Sequence, residues 1–288
     1  MDQPLFQGAC TALVTPFLNG KVNLSMIHAL MERQVQSGIS TVVLCGTTGE
    51  APTLSDSEKT SIFHYTKKHF QNQIIICGTG SNDTHHAISL SQMAEDAGAD
   101  ALLVVSPYYN KASSQGLIDH FGAIASAVHI PVILYNVPSR TGVDIPVSVY
   151  QQLAQISNIC GVKEASTDIT KIAKILASCP RDFYVWSGND DMTVPVISLG
   201  GMGVISVTSN VAPTEMQDLC FAALAGDFDT AAELQLTLLP LIGALFSEVN
   251  PIPVKAAMKL LGYDCGECRL PLNSLSPEKQ HKLKALLT

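Results

Sequence analysis

The chain has 288 residues, of which 47% are apolar and only 15% are charged. This length suits one large α/β domain or two small domains, and the apolar fraction is sufficient for a sizeable core and for subunit interfaces. The formal net charge of −8 argues against a protein that binds nucleic acid or an acidic membrane surface.

No run of eighteen or more apolar residues occurs, and the first residues lack the charged and apolar regions of a signal peptide. We therefore expect a cytoplasmic protein whose eight cysteines are free thiols. Cys265-Gly-Glu-Cys268 is a single C-x-x-C motif without a second pair at zinc spacing. No His/Asp/Glu set has metal-ligand spacing either, so the sequence predicts neither a metal nor a cofactor.

Strand-like and helix-like segments alternate along the chain as far as Gly226. The predicted strands are Ala9–Val14, Thr41–Cys45, Ile74–Cys77, Ala101–Val105, Val132–Tyr135, Ile159–Lys163, Phe183–Trp186 and Gly203–Val207. The predicted helices are Leu24–Gln36, Ser55–Phe70, Asp83–Ala97, Ser114–Val128, Pro146–Ile156, Asp168–Ala177, Asp190–Leu199 and Pro213–Ala225. Strands and helices that alternate in eight units predict a (β/α)8 barrel over residues 1–226. An open dinucleotide-binding sheet is disfavoured, because no Gly-x-Gly-x-x-Gly follows the first strand.

After Gly226 the pattern changes to helices without intervening strands. The predicted helices are Asp229–Phe246, Pro253–Leu261 and Pro277–Leu287. About 60 residues bury too little core to be stable alone. We therefore expect residues 227–288 to form a helical region that packs on the barrel or at a subunit interface.

Lys163 stands at the end of the sixth predicted strand, with Gly161 and Ala165 leaving space beside it. Lysine is seldom fully buried unless it is paired. Desolvation favours the neutral amine, which is the nucleophile in Schiff-base chemistry. Taken alone, Lys163 also suits a snorkelling side chain or a partner for Glu164. Alternation along the strand points Glu164 away from Lys163, which favours a structural role for this carboxylate.

Several polar groups follow the other strands, at the face where (β/α)8 barrels carry their reacting groups. Gly46-Thr-Thr-Gly49 offers backbone N–H groups and two hydroxyls to a carboxylate, although a plain tight turn has the same composition. Tyr108, Tyr109 and Tyr135 could relay protons or simply pack. Arg140 could hold a carboxylate in a bidentate pair or form a surface salt bridge. Together these groups predict an enzyme that condenses or cleaves small oxo-acids through a lysine imine.

The motifs at this face resemble those of the pyruvate-dependent class I aldolase family, which includes N-acetylneuraminate lyase. They are Gly46-Thr-Thr-Gly-Glu50, Tyr135-Asn-Val-Pro-Ser-Arg-Thr-Gly142 and Gly161-Val-Lys-Glu-Ala165. The similarity runs nearly end to end and includes Gly203-Val-Ile-Ser-Val207 and Asn250-Pro-Ile-Pro-Val-Lys255. The resemblance implies a (β/α)8 barrel, and family members are commonly homotetramers built as dimers of dimers.

Within the family, the pattern Ser139-Arg-Thr-Gly142 resembles the synthases of lysine and diaminopimelate biosynthesis. These enzymes condense pyruvate with L-aspartate 4-semialdehyde. The sialate lyases lack the arginine, and their loop after the second strand usually begins Gly-Ser-Thr, whereas this chain has Gly46-Thr-Thr.

The resemblance implies catalytic roles for four residues. Lys163 would form the imine with pyruvate, and Tyr135 would be the general acid and base. Thr47 would link Tyr135 to Tyr109, with Tyr109 reaching in from a neighbouring subunit.

Four further residues would bind the substrates. Thr48 would hold the pyruvate carboxylate together with Thr47, and the backbone carbonyl of Ile205 would face the imine. Gly188 would help to form the pocket of the second substrate, and Arg140 would bind the carboxylate of L-aspartate 4-semialdehyde.

Lysine-inhibited members bind L-lysine at a dimer interface, and six positions of this chain match that site. They are Ala51, Asp56, Lys59, Asn82, His86 and Tyr108. Inhibited enzymes that resemble this chain carry a histidine in place of Asp56 and a glutamate in place of His86. An ammonium group needs a carboxylate, and His86 cannot supply one. Because Lys59 adds a like charge, we predict weak or absent inhibition by L-lysine.

Two other functions compete with the synthase. One is a sister aldolase acting on a sialic acid, a 2-keto-3-deoxy sugar acid or 4-hydroxy-2-oxoglutarate, which would share the imine and differ in the electrophile. The other is a barrel that has lost catalysis and serves as a binding or regulatory protein. The presence of Lys163, Tyr135, Thr47 and Tyr109 argues against the second.

Overall fold

The computed structural model describes residues 3–287, and eight of its strands close into a parallel barrel. The barrel strands are β1 (Gly8–Ala12), β4 (Thr41–Leu44), β5 (Ile74–Gly78), β6 (Ala101–Val105), β7 (Val132–Asn136), β8 (Ile159–Glu164), β9 (Tyr184–Ser187) and β10 (Gly203–Ser206). Their order around the barrel is the order along the chain, closed by the pairing of β1 with β10. The predicted (β/α)8 barrel is therefore confirmed.

Helices cover the outside of the barrel. They are α1 (Leu24–Gln36), α2 (Asp56–His69), α3 (Thr84–Asp96), α4 (Ser114–Ser126), α5 (Pro138–Thr141), α6 (Val147–Leu153), α7 (Ile169–Ser178), α8 (Thr193–Ser198) and α9 (Pro213–Leu224). Ser55 caps α2 in a capping box with Glu58, as the sequence pattern indicates. The short α5 and an antiparallel hairpin, β2 (Phe17–Leu18) with β3 (Lys21–Val22), lie between the predicted elements.

Most predicted elements differ from the observed ones by one to three residues at an end, and two of these differences have a clear physical cause. The first strand ends at Ala12 rather than Val14, because the N–H of Val14 leaves the sheet and donates to Asn210 Oδ1 at 3.1 Å. The helix predicted from Asp190 to Leu199 is a short 3₁₀ helix followed by α8. Proline is tolerated in the first turn of a helix and not in its interior, so Pro195 places the start of α8 close before it.

The barrel interior is a cluster of small, branched and aromatic side chains to which all eight strands contribute. Phe6 stacks on Trp186 inside it, with ring centroids 5.0 Å apart. Gly161 allows β8 to approach β9 closely, since a Cβ there would lie 2.1 Å from the Tyr184 carbonyl oxygen. The close packing of β8 against β9 therefore explains why position 161, two residues before Lys163, is a glycine.

Three helices follow the barrel: α10 (Phe228–Leu245), α11 (Ile252–Leu260) and α12 (Pro277–Leu287). α10 packs against α8, α9 and α12, and α11 packs against α12. By length and composition alone α10 could cross a membrane, with a mean hydropathy of 1.2 and 33% of it buried. A single such helix is weak evidence for a span, because packed helices of soluble proteins have the same properties.

A buried ion pair attaches this helical region to the barrel. Lys255 Nζ on α11 lies 2.9 Å from Glu50 Oε1, and the two side chains are only 3% and 1% exposed. The Glu50 carboxylate also accepts from the backbone N–H of Arg269 at 2.8 Å. Glu50 lies in the left-handed region with φ 56° and ends the threonine-bearing loop after β4.

Replacing Lys255 by methionine is expected to lower the free energy of unfolding by about 3–5 kcal/mol, because Glu50 then stays buried without its cation. Denaturant unfolding at fixed protein concentration measures this change. The double variant Glu50→Gln/Lys255→Met removes both charges and should recover part of the loss. A loss below about 1 kcal/mol in Lys255→Met, the value of an exposed pair, would contradict this account.

Candidate active site

Lys163 and Tyr135 lie side by side at the C-terminal end of the barrel. They are paired in register on the neighbouring strands β8 and β7 and are only 5% and 7% exposed. Lys163 Nζ lies 4.5 Å from the centroid of the Tyr135 ring. Within residues 3–287 no carboxylate forms an ion pair with this amine. The arrangement is a buried amine with a phenol beside it.

The surroundings of Lys163 inside the barrel are apolar. Burial raises the pKa of the Cys10 thiol well above its usual range, and the nearby Lys163 charge only partly opposes this. Ile205 on β10 is completely buried in the same interior cluster. A low-dielectric environment strengthens electrostatic interactions with any charge that develops there.

Glu164 lies on the opposite side of the strand from Lys163 and is completely buried. Its carboxylate accepts from Asn136 Nδ2 at 2.7 Å, from the Tyr150 hydroxyl at 3.0 Å and from the Ser166 N–H at 2.8 Å. Burial first, and then the Glu164 carboxylate, raises the pKa of Tyr150 well above its usual range. Glu164 therefore serves structure, as strand alternation predicts.

The threonines after β4 lie in a tightly held loop. The Thr15 hydroxyl donates to the Gly49 carbonyl at 2.7 Å, and the Ala51 N–H donates to the Gly46 carbonyl at 3.2 Å. Thr48 is 2% exposed, whereas Thr47 is half-buried. The loop thus presents two hydroxyls from a backbone that is fixed on both sides.

A cavity of about 330 Å³ opens at this end of the barrel. Thr47, Tyr135 and Arg140 line it together with Tyr108. Tyr135 connects the cavity to Lys163, since its ring lines the cavity and also lies 4.5 Å from the amine. Arg140 is exposed on α5 at the mouth, where its Nη2 donates to the Asn250 carbonyl at 3.3 Å.

Two of the sequence-predicted residues lie apart from this group. Tyr109 is 92% exposed and has a left-handed backbone with φ 71°, so it points away from its own barrel. Gly188 lies in the loop after β9, where a Cβ would come within 2.5 Å of Ala165 Cβ. That close approach brings the loop after β9 against the segment that follows Lys163.

The matched effector positions gather at the outer part of the same cavity. Ala51, Asp56, Lys59, His86 and Tyr108 line it, whereas Asn82 does not. Asp56 supplies a carboxylate, but His86 Nε2 lies 3.1 Å from both of its oxygens and Lys59 Nζ lies 3.9 Å away. The available carboxylate is therefore already occupied by two cationic or protonatable groups.

Among the described residues, no group of three or more His, Cys, Asp or Glu side chains is placed to hold a metal ion. Cys265 and Cys268 are free thiols, and burial raises the pKa of each to about 12. A thiol with such a pKa is unreactive at neutral pH.

The sequence did not single out Asn250 as a site residue, although it begins the motif Asn250-Pro-Ile-Pro-Val-Lys255. Its Nδ2 donates to the Thr48 hydroxyl oxygen at 3.0 Å, and its backbone carbonyl accepts from Arg140. The only signal for it in the sequence was that a polar residue stands shortly before a predicted helix, Pro253–Leu261. Only the folded chain shows that this segment returns to the loop after β4.

The class of protein follows from the family and from a lysine amine that is buried at the end of the sixth barrel strand, with a phenol beside it and with Thr47 and Arg140 at the adjoining cavity. The chain is a Schiff-base-forming lyase of the class I aldolase type.

Comparisons with known proteins give the particular family. Residues 5–288 match the Dihydrodipicolinate synthetase family. The 4-hydroxy-tetrahydrodipicolinate synthase of Acetivibrio thermocellus is 48% identical over 288 residues, which cover 100% of this chain and 98% of the relative. The structure of dihydrodipicolinate synthase from Aquifex aeolicus is 44% identical with a TM-score of 0.97, covering 98% of this chain and 97% of that one. A structure presented as the first monomeric dihydrodipicolinate synthase variant is 40% identical with a TM-score of 0.96, covering 98% and 96%. The chain belongs to the dihydrodipicolinate synthetase family.

Proposed function

We propose that the chain is a 4-hydroxy-tetrahydrodipicolinate synthase, which condenses pyruvate with L-aspartate 4-semialdehyde in lysine and diaminopimelate biosynthesis. The observation that carries the proposal is the buried Lys163 amine 4.5 Å from the Tyr135 ring, in a chain 48% identical to a synthase. The reaction needs no cofactor, because the imine itself withdraws electrons from the reacting carbon. The expected location is the cytoplasm.

In the first half-reaction the neutral Lys163 amine attacks the C2 carbonyl carbon of pyruvate. Tyr135 protonates the oxygen, which leaves as water when the imine forms. Loss of a proton from the methyl carbon then gives an enamine. The apolar interior excludes water from this intermediate and limits its hydrolysis.

In the second half-reaction the enamine carbon attacks the aldehyde of L-aspartate 4-semialdehyde and forms the new carbon–carbon bond. The amino group of the semialdehyde then displaces Lys163 from the imine carbon and closes the ring. One molecule of water is released overall, and the lysine returns to its amine form.

Both substrates carry a carboxylate, and the barrel mouth offers two kinds of group to bind them. Thr47 lines the cavity together with Tyr135, and Thr48 follows it in the same fixed loop, so their hydroxyls suit the pyruvate carboxylate. Arg140 lies at the exposed mouth and suits the semialdehyde carboxylate, which arrives second. The Ile205 carbonyl and Gly188 complete the site in this proposal.

The test of the function is an assay with pyruvate and L-aspartate 4-semialdehyde, coupled to the reductase that consumes the product. We expect kcat/KM for the semialdehyde to exceed that for sugar-acid cleavage by a factor of about 10³ or more. Preferred turnover of N-acetylneuraminate, a 2-keto-3-deoxy sugar acid or 4-hydroxy-2-oxoglutarate would make the chain a sister aldolase. Failure to turn over any of these substrates would favour the alternative of a barrel that has lost catalysis.

The exposed Tyr109 supports a homotetramer built as a dimer of dimers, in which this side chain completes the site of a neighbour. Its ring is 92% exposed in one protomer, and exposed aromatic side chains of this size are enriched at interfaces. The left-handed backbone at Tyr109 holds the ring away from its own cavity.

Mixing two inactive variants tests this arrangement. Lys163→Ala keeps Tyr109, and Tyr109→Phe keeps Lys163, so a mixed dimer contains one complete site. Random pairing in an equal mixture gives half mixed dimers, and we expect roughly a quarter of wild-type activity after subunit exchange. Activity equal to the mean of the two unmixed variants would contradict a shared site.

Inhibition by L-lysine is expected to be weak or absent. The ammonium of a bound lysine would meet Lys59 and His86, while the Asp56 carboxylate is already engaged by both. We expect no half-inhibition below about 1 mM L-lysine in steady-state kinetics. Half-inhibition at lower concentrations would contradict this interpretation of the cavity.

A matched pair of variants tests the cause. His86→Glu places a carboxylate in the cavity and should increase sensitivity to L-lysine roughly tenfold, the value of a charged hydrogen bond. His85→Glu makes the same change in charge at the exposed neighbouring residue and should leave sensitivity as it is.

A further inference from the structure

Asn250 lies between the helical region and the two groups proposed to bind substrate carboxylates. Its side chain is 5% exposed, and its Nδ2 lies 3.0 Å from the Thr48 hydroxyl oxygen. Its backbone carbonyl accepts from Arg140 Nη2 at 3.3 Å. One residue from outside the barrel therefore contacts both Thr48 and Arg140.

The contact with Thr48 determines which way the hydroxyl hydrogen points. A threonine hydroxyl has one donor hydrogen and two acceptor lone pairs. Because the Asn250 amide donates to the oxygen, the hydroxyl hydrogen must be directed elsewhere. In the described part of the chain, the Thr48 hydroxyl donates to no acceptor, although Thr48 is 2% exposed. A buried donor without an acceptor is costly, so this hydrogen is available to an acceptor on a ligand.

We propose that Asn250 is a positioning residue that fixes the Thr48 O–H bond toward the carboxylate of the oxo-acid substrate. The inference rests on the proposed pyruvate chemistry. The opposite amide orientation would place Asn250 Oδ1 on Thr48, make the hydroxyl donate to it, and turn oxygen lone pairs toward the substrate carboxylate. A carboxylate at this position would reverse the Thr48 hydroxyl in the first orientation and leave its direction unchanged in the second.

The Oδ1 atom of Asn250 is buried and has no hydrogen-bond partner within residues 3–287. A residue selected only for packing here could be apolar without leaving this acceptor unpaired. The unpaired oxygen is consistent with a side chain that is kept for its donor.

The measurement is the pyruvate concentration that gives half-maximal trapping of Lys163 by borohydride. In Asn250→Asp the carboxylate accepts the Thr48 hydrogen and repels pyruvate. The half-saturating pyruvate should rise by a factor of about 10 to 100, the range of a hydrogen bond to a charged group. Asn250→Ala removes the donor without adding charge and should raise it by roughly threefold to tenfold.

The Arg140 contact gives a second, separate readout. It uses the backbone carbonyl of Asn250, which survives every substitution at this position. The KM for L-aspartate 4-semialdehyde should therefore change by less than about threefold in Asn250→Ala, which adds no charge beside Arg140. A general loss of structure at the barrel mouth would raise both the half-saturating pyruvate concentration and the KM for L-aspartate 4-semialdehyde.

Two further variants guard against a folding defect. Asn158→Asp makes the same chemical change at a turn before β8, where the amide donates to the Ala125 and Val128 carbonyls. It should lose stability without changing the half-saturating pyruvate. Thr48→Val removes the hydroxyl and should weaken pyruvate binding by itself. In the Thr48→Val background, Asn250→Asp should cost less than it costs alone, because the two residues act as one unit.

Half-saturation within twofold of wild type in Asn250→Asp would overturn the inference, since that result indicates the opposite amide orientation. Additive effects of Thr48→Val and Asn250→Asp would overturn it as well. If the wild-type chain is not trapped by pyruvate at all, the proposed function fails, and this inference fails with it.

Discussion

Replacing Lys163 by alanine is expected to lower kcat for the condensation by roughly a thousandfold or more, because the variant has no amine to form the imine. The measurement is steady-state turnover with pyruvate and L-aspartate 4-semialdehyde at saturating concentrations. Borohydride with pyruvate should no longer modify the chain at this position. The fold should persist, since no carboxylate in residues 3–287 depends on Lys163 for its charge partner.

Lys171→Met is the matched control for this variant. Lys171 is also a buried lysine, on α7, and pairs with Asp144 and Glu164 behind the strand that carries Lys163. Its loss should lower stability and leave kcat within about tenfold of wild type. Equal losses of kcat in the two variants would show that burial of a charged lysine, and not its chemistry at position 163, explains the effect.

Tyr135→Phe is expected to lower kcat by a factor of about 10² to 10⁴, the usual contribution of a positioned general acid and base. The phenylalanine ring keeps the packing against Lys163 and removes only the hydroxyl. Trapping by borohydride should still occur at Lys163, at a lower rate, because the amine is intact. Stopped-flow or quenched trapping at several pyruvate concentrations separates the rate from the affinity.

Tyr150→Phe provides the comparison. Tyr150 is completely buried and donates its hydroxyl to Glu164 at 3.0 Å, outside the barrel interior. Its loss should cost roughly 1–3 kcal/mol of stability, because the Glu164 carboxylate loses a donor. The effect on kcat should stay within a few-fold. A full-rate Tyr135→Phe enzyme would remove Tyr135 from the mechanism.

The sequence was sufficient to predict the barrel, and it pointed to Lys163 as the candidate for the reacting amine. Alternation of apolar strands and amphipathic helices is a local property, and eight repeats of it have few alternative architectures. The sequence drew attention to Lys163 because a charged side chain ends an apolar strand there. Burying such a charge costs free energy, which suggests a functional reason for its presence. The same pattern placed Glu164 on the other side, where it holds Tyr150 and Asn136.

Contacts between distant segments could not be predicted in this way. Asn250 and Thr48 are 202 residues apart, and Glu50 and Lys255 are 205 residues apart. The periodicity of one segment gives no information on which distant segment it contacts, because these contacts depend on how the helical region packs back against the barrel. The first strand and the α8 region were also misjudged, since a side-chain bond from Asn210 and the position of Pro195 determine where those elements end and begin.

The six matched effector positions show an intermediate case. The structure places five of them around one cavity and adds that His86 and Lys59 share the carboxylate of Asp56. Whether a carboxylate is free to bind an ammonium group depends on its neighbours in space, which a list of positions does not contain.

The central claim is that Lys163 forms an imine with pyruvate. The direct measurement is to treat the wild-type chain with pyruvate and borohydride, digest it and map the modified peptide by mass spectrometry. The account predicts a mass increase of about 72 Da, that of a reduced pyruvyl group, on the peptide that contains Lys163. An unmodified Lys163, or the same label on Lys171 or Lys255 instead, would contradict it.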